Sequence, residues 1–218
     1  MKIAILLLCH EPPALLAKQI SSPFFRHPDI KLYIHYDASR KTKQLEQLRG
    51  LIPSDVKFML TPSRVRCAWG EYSLVQATAL LMQTALEDGE FGADYLYLVS
   101  GSCTPIRPAS SLIKFLKLNN GTDFIESVDI SKNKWVLDGN EQERYELYHP
   151  FNFRTQRAWF DRFNKFQRRL GIRKLAPNGL NIHFGSQWFT ITKNTSPKNC
   201  CSTERSKNTE ILPHQLDS

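Results

Sequence analysis

The first half of the chain alternates short apolar runs with amphipathic stretches. Apolar or alternating runs over 2–8, 30–36, 56–60, 95–99 and 123–126 are typical of buried strands. Between these runs, the spacing of apolar residues predicts helices over 14–20, 41–51, 73–86 and about 108–118. Strands that alternate with helices in this way predict an α/β fold, with a mostly parallel sheet and helices on its faces.

The third of these helices has the clearest sequence signals. Ser73 and Gln76 have the spacing of a capping box, which predicts that the helix starts at Ser73. Leu74, Leu81 and Ala85 then fall on one helical face, and the pair at 88–89, Asp-Gly, predicts its end.

Polar clusters follow three of the predicted strands, at 9–11 (CHE), 35–37 (HYD) and 100–103 (SGSC). Ligands of parallel α/β sheets bind beyond the carboxyl ends of the strands, so these clusters predict a site there. The chain contains neither a GxGxxG fingerprint nor a P-loop, which argues against a dinucleotide or P-loop phosphate site. His10 and His35 are interpreted as packing residues or as supports of the residues that contact the ligand, and not as catalysts, because no nucleophile is paired with them.

The segment 127–174 has a different character, since it is rich in Arg, Lys and aromatic residues. Trp159, Phe163 and Phe166 fall at helical spacing with basic residues between them, which predicts an amphipathic basic helix over 156–169. The simplest interpretation is a helix with a core face and a solvated face, in preference to a binding patch.

The charge of the chain favours an anionic partner. The formal net charge is +8, which suits a nucleotide diphosphate, a nucleic acid or a membrane surface without choosing among them. The apolar run at 3–8 is too short for a transmembrane segment or a signal peptide, so we expect a cytoplasmic protein, with peripheral membrane association left open. Five cysteines without CxxC spacing support neither a disulfide framework nor a zinc site.

Seven segments carry a resemblance to a known family: KIAILLLCH at the start, IHYDAS at 34–39, CAWGEYSLVQATALLMQTAL at 67–86, YLYLVSGSCTPIRP at 95–108, FIES at 124–127, ERYELYHPFN at 143–152 and HFGSQWFTIT at 183–192. In this order they resemble the core-2/I-branching β-1,6-N-acetylglucosaminyltransferases, especially the bacterial members. The resemblance implies a GT-A-type fold. It also implies inverting transfer of N-acetylglucosamine, or a related sugar, from a UDP-sugar to a glycan acceptor. No cofactor or metal is implied, and the chain has no Asp-x-Asp to hold a divalent ion.

The resemblance also assigns candidate site residues. Asp37 matches a family carboxylate beside the donor nucleoside, where it can accept from ribose hydroxyls or the uracil N–H; without the resemblance, capping of the next turn is the simpler role. Cys103 stands where many members have Asp. The residues expected to bind the donor are His10, Asp37, Arg66, Trp69, Ser100, Gly101 and Ser102, and those expected to bind the acceptor are Glu126, Arg144, Tyr145, Ser186 and Trp188. Trp69 and Tyr72 are equally compatible with packing in the core.

The catalytic base of the family is a Glu in a Pro-Asp-Glu segment, and these 218 residues contain no such segment. The stretch 194–218 has no aromatic residue and no periodicity, which predicts disorder. We therefore expect one transferase domain over 1–193, left incomplete at its C-terminal side by a frameshift or premature stop, followed by a tail. No catalytic residue is assigned.

Two other functions stay open at this stage. One is a catalytically inactive module that binds a sugar nucleotide or a partner. The other is nucleic-acid binding, which ranks last because the chain has no recognisable nucleic-acid-binding motif, so we expect no nucleic-acid partner.

Overall fold

The computed structural model describes residues 1–129, 143–174 and 183–195. Eight strands and six α-helices are found in these ranges, together with a short 3₁₀ helix at Pro23–Arg26. The strands are β1 (Ile3–Cys9), β2 (Ile30–Tyr36), β3 (Phe58–Leu60), β4 (Tyr95–Ser100), β5 (Phe124–Ile125), β6 (Val128–Asp129), β7 (His183–Phe184) and β8 (Phe189–Thr192). The helices are α1 (Pro13–Ile20), α2 (Thr42–Leu51), α3 (Tyr72–Glu87), α4 (Ala109–Leu118), α5 (Glu143–Glu146) and α6 (Arg157–Leu170).

Six of the strands form one sheet in the order β3-β2-β1-β4-β8-β5, and β6 and β7 form a separate two-stranded ribbon. The four strands from β3 to β4 are parallel, whereas β8 runs antiparallel to both β4 and β5. The predicted α/β class, with a mostly parallel sheet and helices on its faces, is therefore confirmed.

Both faces of the sheet are covered by apolar side chains. Every residue of β1 is buried, as the continuous apolar run predicts for a central parallel strand. Ile5 and Leu7 point to the face covered by α1, α2 and α4, and Leu6 packs with Leu81 and Ala85 of α3 on the other face. These two clusters hold the carboxyl ends of the parallel strands at one edge.

The start of α3 differs from its prediction. The helix begins at Tyr72, and Glu71 is the N-cap without a side-chain cap hydrogen bond. Ser73 lies inside the first turn, where its Oγ accepts from the Ala68 N–H at 3.0 Å instead of capping the helix. The capping-box prediction was wrong because the preceding loop folds back over the helix start and occupies this hydroxyl.

The buried face of α6 is polar. Trp159 and Phe166 are 58% and 53% exposed, whereas the polar residues Asn164 and Gln167 are buried. The Gln167 side chain accepts from the Tyr148 N–H and donates to the Tyr148 carbonyl, each at 2.9 Å. This pairing turns a polar face of α6 inward, so the core face of the predicted helix carries Asn164 and Gln167 while Trp159 and Phe166 lie outside it.

The end of the described chain is tied to the sheet. Thr195 donates from its Oγ1 to the Asp123 carboxylate, and the Thr192 N–H donates to the same carboxylate at 2.7 Å. The predicted disordered tail falls from residue 196 onward outside the described residues. Within the described ranges, no helix is long and apolar enough to cross a membrane.

Asp88, the residue that follows α3, connects that helix to β2. Its carboxylate accepts from the Lys31 ammonium, from the Tyr33 hydroxyl at 2.7 Å and from the Phe91 N–H at 3.2 Å. Burial by itself would raise the pKa of Asp88, but these hydrogen bonds outweigh it and lower the pKa. Burial and the bond to Asp88 raise the pKa of Tyr33.

The lowered pKa values of Asp37 and Asp88 predict that acid destabilises the fold. A carboxyl whose pKa is lower in the folded state stabilises the protein above its unfolded pKa of about 3.9, and this contribution disappears as the pH falls through the folded pKa. Because the pKa of buried His35 is lowered as well, we expect the melting temperature to begin to decline as the pH falls below about 6.5 and to fall steeply below about pH 4, where the two carboxyls are protonated. Circular dichroism melts across this range test the prediction, and a melting temperature that rises on acidification would contradict it.

Candidate functional site

The region beyond the carboxyl ends of β1, β2 and β4, which we call the crevice, lies where the strand order reverses, since the chain continues from β1 to β2 on one side and returns to β4 on the other. The loops that leave the strands are held to β1. The Asp37 N–H donates to the Cys9 carbonyl and the Gly101 N–H donates to the Leu8 carbonyl, both at 2.9 Å. Two of the three predicted polar clusters are thus fixed to the end of β1, which the third cluster follows.

Asp37 is the most firmly positioned of the candidate residues. Its side chain is buried, with Oδ1 accepting from the Ser39 N–H at 2.6 Å and Oδ2 from the Cys67 N–H at 2.9 Å. Burial would raise the pKa of this carboxyl, but the hydrogen bonds from Ser39 and Cys67 lower it, so Asp37 is ionised at neutral pH. A carboxylate offers about four lone-pair positions, and these two N–H groups occupy only two of them. Asp37 can therefore still accept hydrogen bonds from a ligand.

His35 also holds the loop that follows β3. The Val65 N–H donates to His35 Nε2 at 2.9 Å, so this nitrogen is unprotonated and the ring is neutral. Burial is the main reason why the pKa of His35 is lowered. The interpretation of His35 as a packing residue agrees with this contact, whereas His10 is exposed at the end of β1.

Glu11 is a candidate that the sequence interpretation did not select. Its Oε2 accepts from the His10 N–H at 2.9 Å and lies over Gly101, where an added Cβ would stand only 1.9 Å from this oxygen. Gly101 is therefore required for the close approach of a carboxylate. The signal available in the sequence was the position of Glu11 directly after a strand end.

The segment after β4 presents hydroxyl and thiol groups to solvent. Ser100 Oγ lies 2.9 Å from Ser102 Oγ and 3.2 Å from the sulfur of Cys103. Ser102 and Cys103 are exposed, so these groups are accessible beside Glu11 and Gly101. The predicted donor residues Ser100, Gly101 and Ser102 therefore share one edge of the crevice with His10.

The loop between β3 and α3 carries two further predicted donor residues, Arg66 and Trp69, both exposed. The Arg154 guanidinium stacks on Trp69 at 3.6 Å from the ring centroid, and Phe153 lies against the same indole. Tyr72 is 71% exposed, so the alternative that Trp69 and Tyr72 are core residues was wrong. This loop instead joins the segment before α6 to the side of the crevice.

Three of the predicted acceptor residues are brought together by the β6–β7 ribbon. Glu126 precedes the ribbon, Ser186 follows it, and the Trp188 N–H donates to Ser186 Oγ at 3.2 Å. Gly185 packs so closely on Glu126 that an added Cβ would lie 1.9 Å from the Glu126 carbonyl oxygen. Glu126, Ser186 and Trp188 are all exposed, which makes this segment accessible to a ligand.

The other two predicted acceptor residues lie on a different element. Arg144 and Tyr145 belong to α5, which ends at Glu146. The Glu146 carbonyl accepts from the Lys174 N–H at 2.6 Å, and the Glu146 carboxylate forms an ion pair with Arg173. Burial, followed by the nearby Glu146 charge, raises the pKa of Tyr145. These contacts attach α5 to the segment that follows α6.

The described cysteines, Cys9, Cys67 and Cys103, are free thiols, and Cys200 and Cys201 fall outside the described residues. Burial, with the Asp37 charge nearby, raises the pKa of Cys67 to about 12, so this thiol stays protonated at neutral pH. Burial also raises the pKa of Cys9. In the part of the chain that the structure describes, no group of three or more His, Cys, Asp or Glu side chains is placed to hold a metal ion.

Known proteins resemble the chain over nearly all of the described residues. The sequence model of the family described as Core-2/I-Branching enzyme matches residues 3–197. Xylosyltransferase 2 of Bos taurus is 25% identical over 171 residues, which are 78% of this chain and 17% of that protein. Xylosyltransferase sqv-6 of Caenorhabditis elegans is 25% identical over 190 residues, 87% of this chain and 21% of that protein. The chain thus spans about a fifth of the length of these curated relatives.

Solved structures give weaker similarities. The 4-diphosphocytidyl-2C-methyl-D-erythritol synthase of Anaerococcus prevotii aligns with a TM-score of 0.40 and 9% identity, covering 88% of this chain and 72% of that one. A protein described as a nucleotide-diphospho-sugar transferase from Desulfovibrio desulfuricans aligns with a TM-score of 0.39 and 14% identity, covering 79% of this chain and 78% of that one.

Proposed function

The chain belongs to the core-2/I-branching enzyme family, a glycosyltransferase family, and from this premise we propose that it binds a UDP-sugar in the crevice at the carboxyl ends of β1, β2 and β4. The observation that carries the proposal is the buried, ionised carboxylate of Asp37, fixed by two backbone N–H groups at the end of β2. It accepts from the ribose hydroxyls or the uracil N–H, and this fixed position costs no reorganisation on binding.

The remaining predicted donor residues surround Asp37 in the proposal. Ser100, Gly101 and Ser102 form the edge next to β1, and the absence of a side chain at Gly101 leaves room for the Glu11 carboxylate at this edge. His10 and Arg66 donate to the diphosphate, and Trp69 contacts the sugar or the base. Side chains of this chain, without a metal ion, neutralise the diphosphate in this proposal, which the net charge of +8 favours.

For the reaction, we propose inverting transfer of the donor sugar to a hydroxyl of a glycan acceptor, with N-acetylglucosamine or a related sugar as donor. The relatives named xylosyltransferases make xylose the first alternative sugar. The acceptor lies along Glu126, Ser186 and Trp188, where the half-exposed indole packs on a sugar ring, and Arg144 and Tyr145 extend this surface. Transfer also requires a carboxylate that takes the proton from the attacking hydroxyl, and none of the described residues is assigned to it.

The test is calorimetric titration of the full chain with UDP, UDP-N-acetylglucosamine and UDP-xylose, each with and without EDTA. We expect binding that EDTA does not change and that Asp37→Ala weakens at least about 10-fold, which corresponds to the loss of one charge-assisted hydrogen bond to the ligand. A folded chain that binds none of these ligands would refute the donor site, whereas binding that EDTA abolishes would refute only its independence of metal.

Because Asp37 also holds the loop after β3, the experiment needs a control that loosens this loop and leaves the carboxylate in place. Thr61→Val is suited to this, since Thr61 donates from its Oγ1 to the Ser63 carbonyl at 2.7 Å in the same loop. Affinity for UDP that falls equally in Thr61→Val and Asp37→Ala would assign the effect of Asp37 to the loop alone.

A further inference from the structure

The exposed side of α6 combines aromatic and basic side chains in a way that the donor site does not use. Trp159, Phe163, Phe166 and Leu170 recur at intervals of four, three and four residues, so they form one continuous stripe along the helix. Trp159, Phe166 and Leu170 are each more than half exposed. We call these four residues the α6 stripe.

The stripe is held outward by contacts on the adjacent side of the helix. Gln167, which is 1% exposed, pairs with the backbone of Tyr148, and Phe160 packs against His149 and Phe153. Rotation of α6 to bury the stripe would break both hydrogen bonds of Gln167 and leave a buried amide unpaired. The exposed aromatic stripe is therefore part of the stable arrangement of the helix.

The stripe is also a preformed aromatic surface. Phe151 stacks on Trp159 with the ring centroids 6.2 Å apart and meets Phe163 edge-on at 5.8 Å. Phe163 and Phe166 stack at 6.4 Å. Neighbouring rings that support one another lose little conformational freedom when the surface is covered.

Basic side chains border the stripe. The 14 residues of α6 contain five basic residues and one acidic residue, Asp161, which pairs with Arg157. Arg162, Lys165 and Arg169 are exposed on the side of the stripe that faces away from the protein, and the Arg162 guanidinium lies 5.7 Å from the Trp159 ring centroid. A partner that matches this surface therefore offers negatively charged groups beside an apolar region.

We propose that the α6 stripe is a docking surface for a membrane that contains anionic phospholipids. A helix with Trp, Phe and Leu on one side and Arg and Lys beside them lies in the plane of the interface, with its apolar face among the acyl chains and its cations at the phosphates. Trp in particular favours the headgroup level. From Trp159 to Leu170 the stripe extends about 17 Å along the helix.

Two other occupants fit the surface less well. A second copy of the chain, packed through the same stripe, would bring Arg162, Lys165 and Arg169 of one copy against those of the other, and like charges oppose such a contact. A nucleic acid would satisfy the charges and stack on the aromatic rings, but it offers no apolar partner for Leu170.

The segment that precedes α6 links the α6 stripe to the proposed donor site. The segment before the helix is clamped to the loop of Trp69 through Arg154 and Phe153, and the Asn152 amide donates to Glu71 at 2.7 Å. The same loop reaches Asp37 through the Cys67 N–H. Docking through α6 therefore holds the crevice at a fixed distance from the membrane, whatever ligand the crevice binds.

Flotation of the full chain with lipid vesicles tests the proposal. We expect the chain to bind vesicles of phosphatidylcholine mixed with phosphatidylglycerol, to bind phosphatidylcholine alone much more weakly, and to be released by high salt. Arg162→Gln with Arg169→Gln should weaken binding roughly 30-fold, since each cation near an anionic surface contributes about a fivefold factor. Trp159→Ser with Phe166→Ser should weaken it at least about 10-fold.

A matched control comes from α4, which also exposes basic and apolar residues: Lys114, Lys117 and Leu118, the last 77% exposed. Lys114→Gln, Lys117→Gln and Leu118→Ser together remove the same charge from the chain and should leave vesicle binding unchanged. All variants change exposed side chains, and circular dichroism melts verify that they fold.

Four results would overturn the proposal: no vesicle binding by the folded chain, equal binding to neutral vesicles, an equal loss in the α4 control, or tighter binding to single-stranded RNA than to vesicles. Self-association in sedimentation that the stripe substitutions abolish would reassign the surface to a contact between copies.

Discussion

Replacement of Asp88 by alanine is expected to lower the free energy of unfolding by about 3–5 kcal/mol. The carboxylate accepts from three groups at the junction of α3 and β2, and its side chain is only 5% exposed. Without this carboxylate, two groups lose their hydrogen-bond partner where little water reaches them. They are the Lys31 ammonium, whose side chain is 14% exposed, and the hydroxyl of buried Tyr33. Urea titration followed by circular dichroism measures the change.

Asp55→Ala is the matched control for this experiment. Asp55 pairs with Arg26 at 2.7 Å, but the side chains of Arg26 and Asp55 are 37% and 59% exposed. Removal of this pair should therefore lower the free energy of unfolding by less than about 1 kcal/mol. If the two substitutions destabilise the protein equally, burial of the Asp88 network contributes nothing and its assigned role is wrong. Binding of UDP by the folded fraction of Asp88→Ala should be unchanged, since Asp88 lies at the far end of α3 from the crevice.

The second large effect is expected for Gly185→Ala, which should separate the β6–β7 ribbon at a cost of about 3 kcal/mol. The new methyl group would lie 1.9 Å from the Glu126 carbonyl oxygen and 2.9 Å from its carbon, and backbone atoms cannot move aside as a flexible side chain can. Hydrogen exchange should show loss of amide protection in the ribbon, over 128–129 and 183–184, with protection of β1 and β2 retained.

Alanine substitutions at two other glycines serve as controls for the general cost of an added methyl group. An added Cβ at Gly89 meets nothing within 4 Å, so Gly89→Ala should be close to neutral. At Gly101 the new group meets only the end of the flexible Glu11 side chain, so Gly101→Ala should displace this carboxylate with little loss of stability. If the amides of the ribbon remain protected in Gly185→Ala, the close approach of Gly185 to the Glu126 backbone is contradicted.

Much of the sheet could be predicted because its signals are local. The run from Ile3 to Cys9 is buried on both faces, and such a run is typical of a central parallel strand wherever it occurs. Asp37 and the segment 100–102 were located for the same reason, since a strand end is visible in the sequence and parallel strands end at one edge.

The remaining features depend on contacts between distant segments. Periodicity showed that α6 is amphipathic, but which face turns inward is decided by the Tyr148 backbone that Gln167 binds. Glu11 was overlooked because its approach to Gly101 depends on the register of β1 against β4. The antiparallel insertion of β8 between β4 and β5 left no trace in the local pattern, because a four-residue strand pairs in either direction.

That insertion has a consequence for the order in which the protein can be made. Tyr97 of β4 pairs with Thr190 of β8, so one side of β4 stays without its neighbour until the ribosome has added the intervening residues, which takes on the order of ten seconds. During this time the parallel strands β1 to β4 can associate, while the free edge of β4 is open to pairing with another nascent chain. The nascent chain is therefore exposed to aggregation through this edge during synthesis, and chaperones that shield strand edges should act on it before residue 189 emerges.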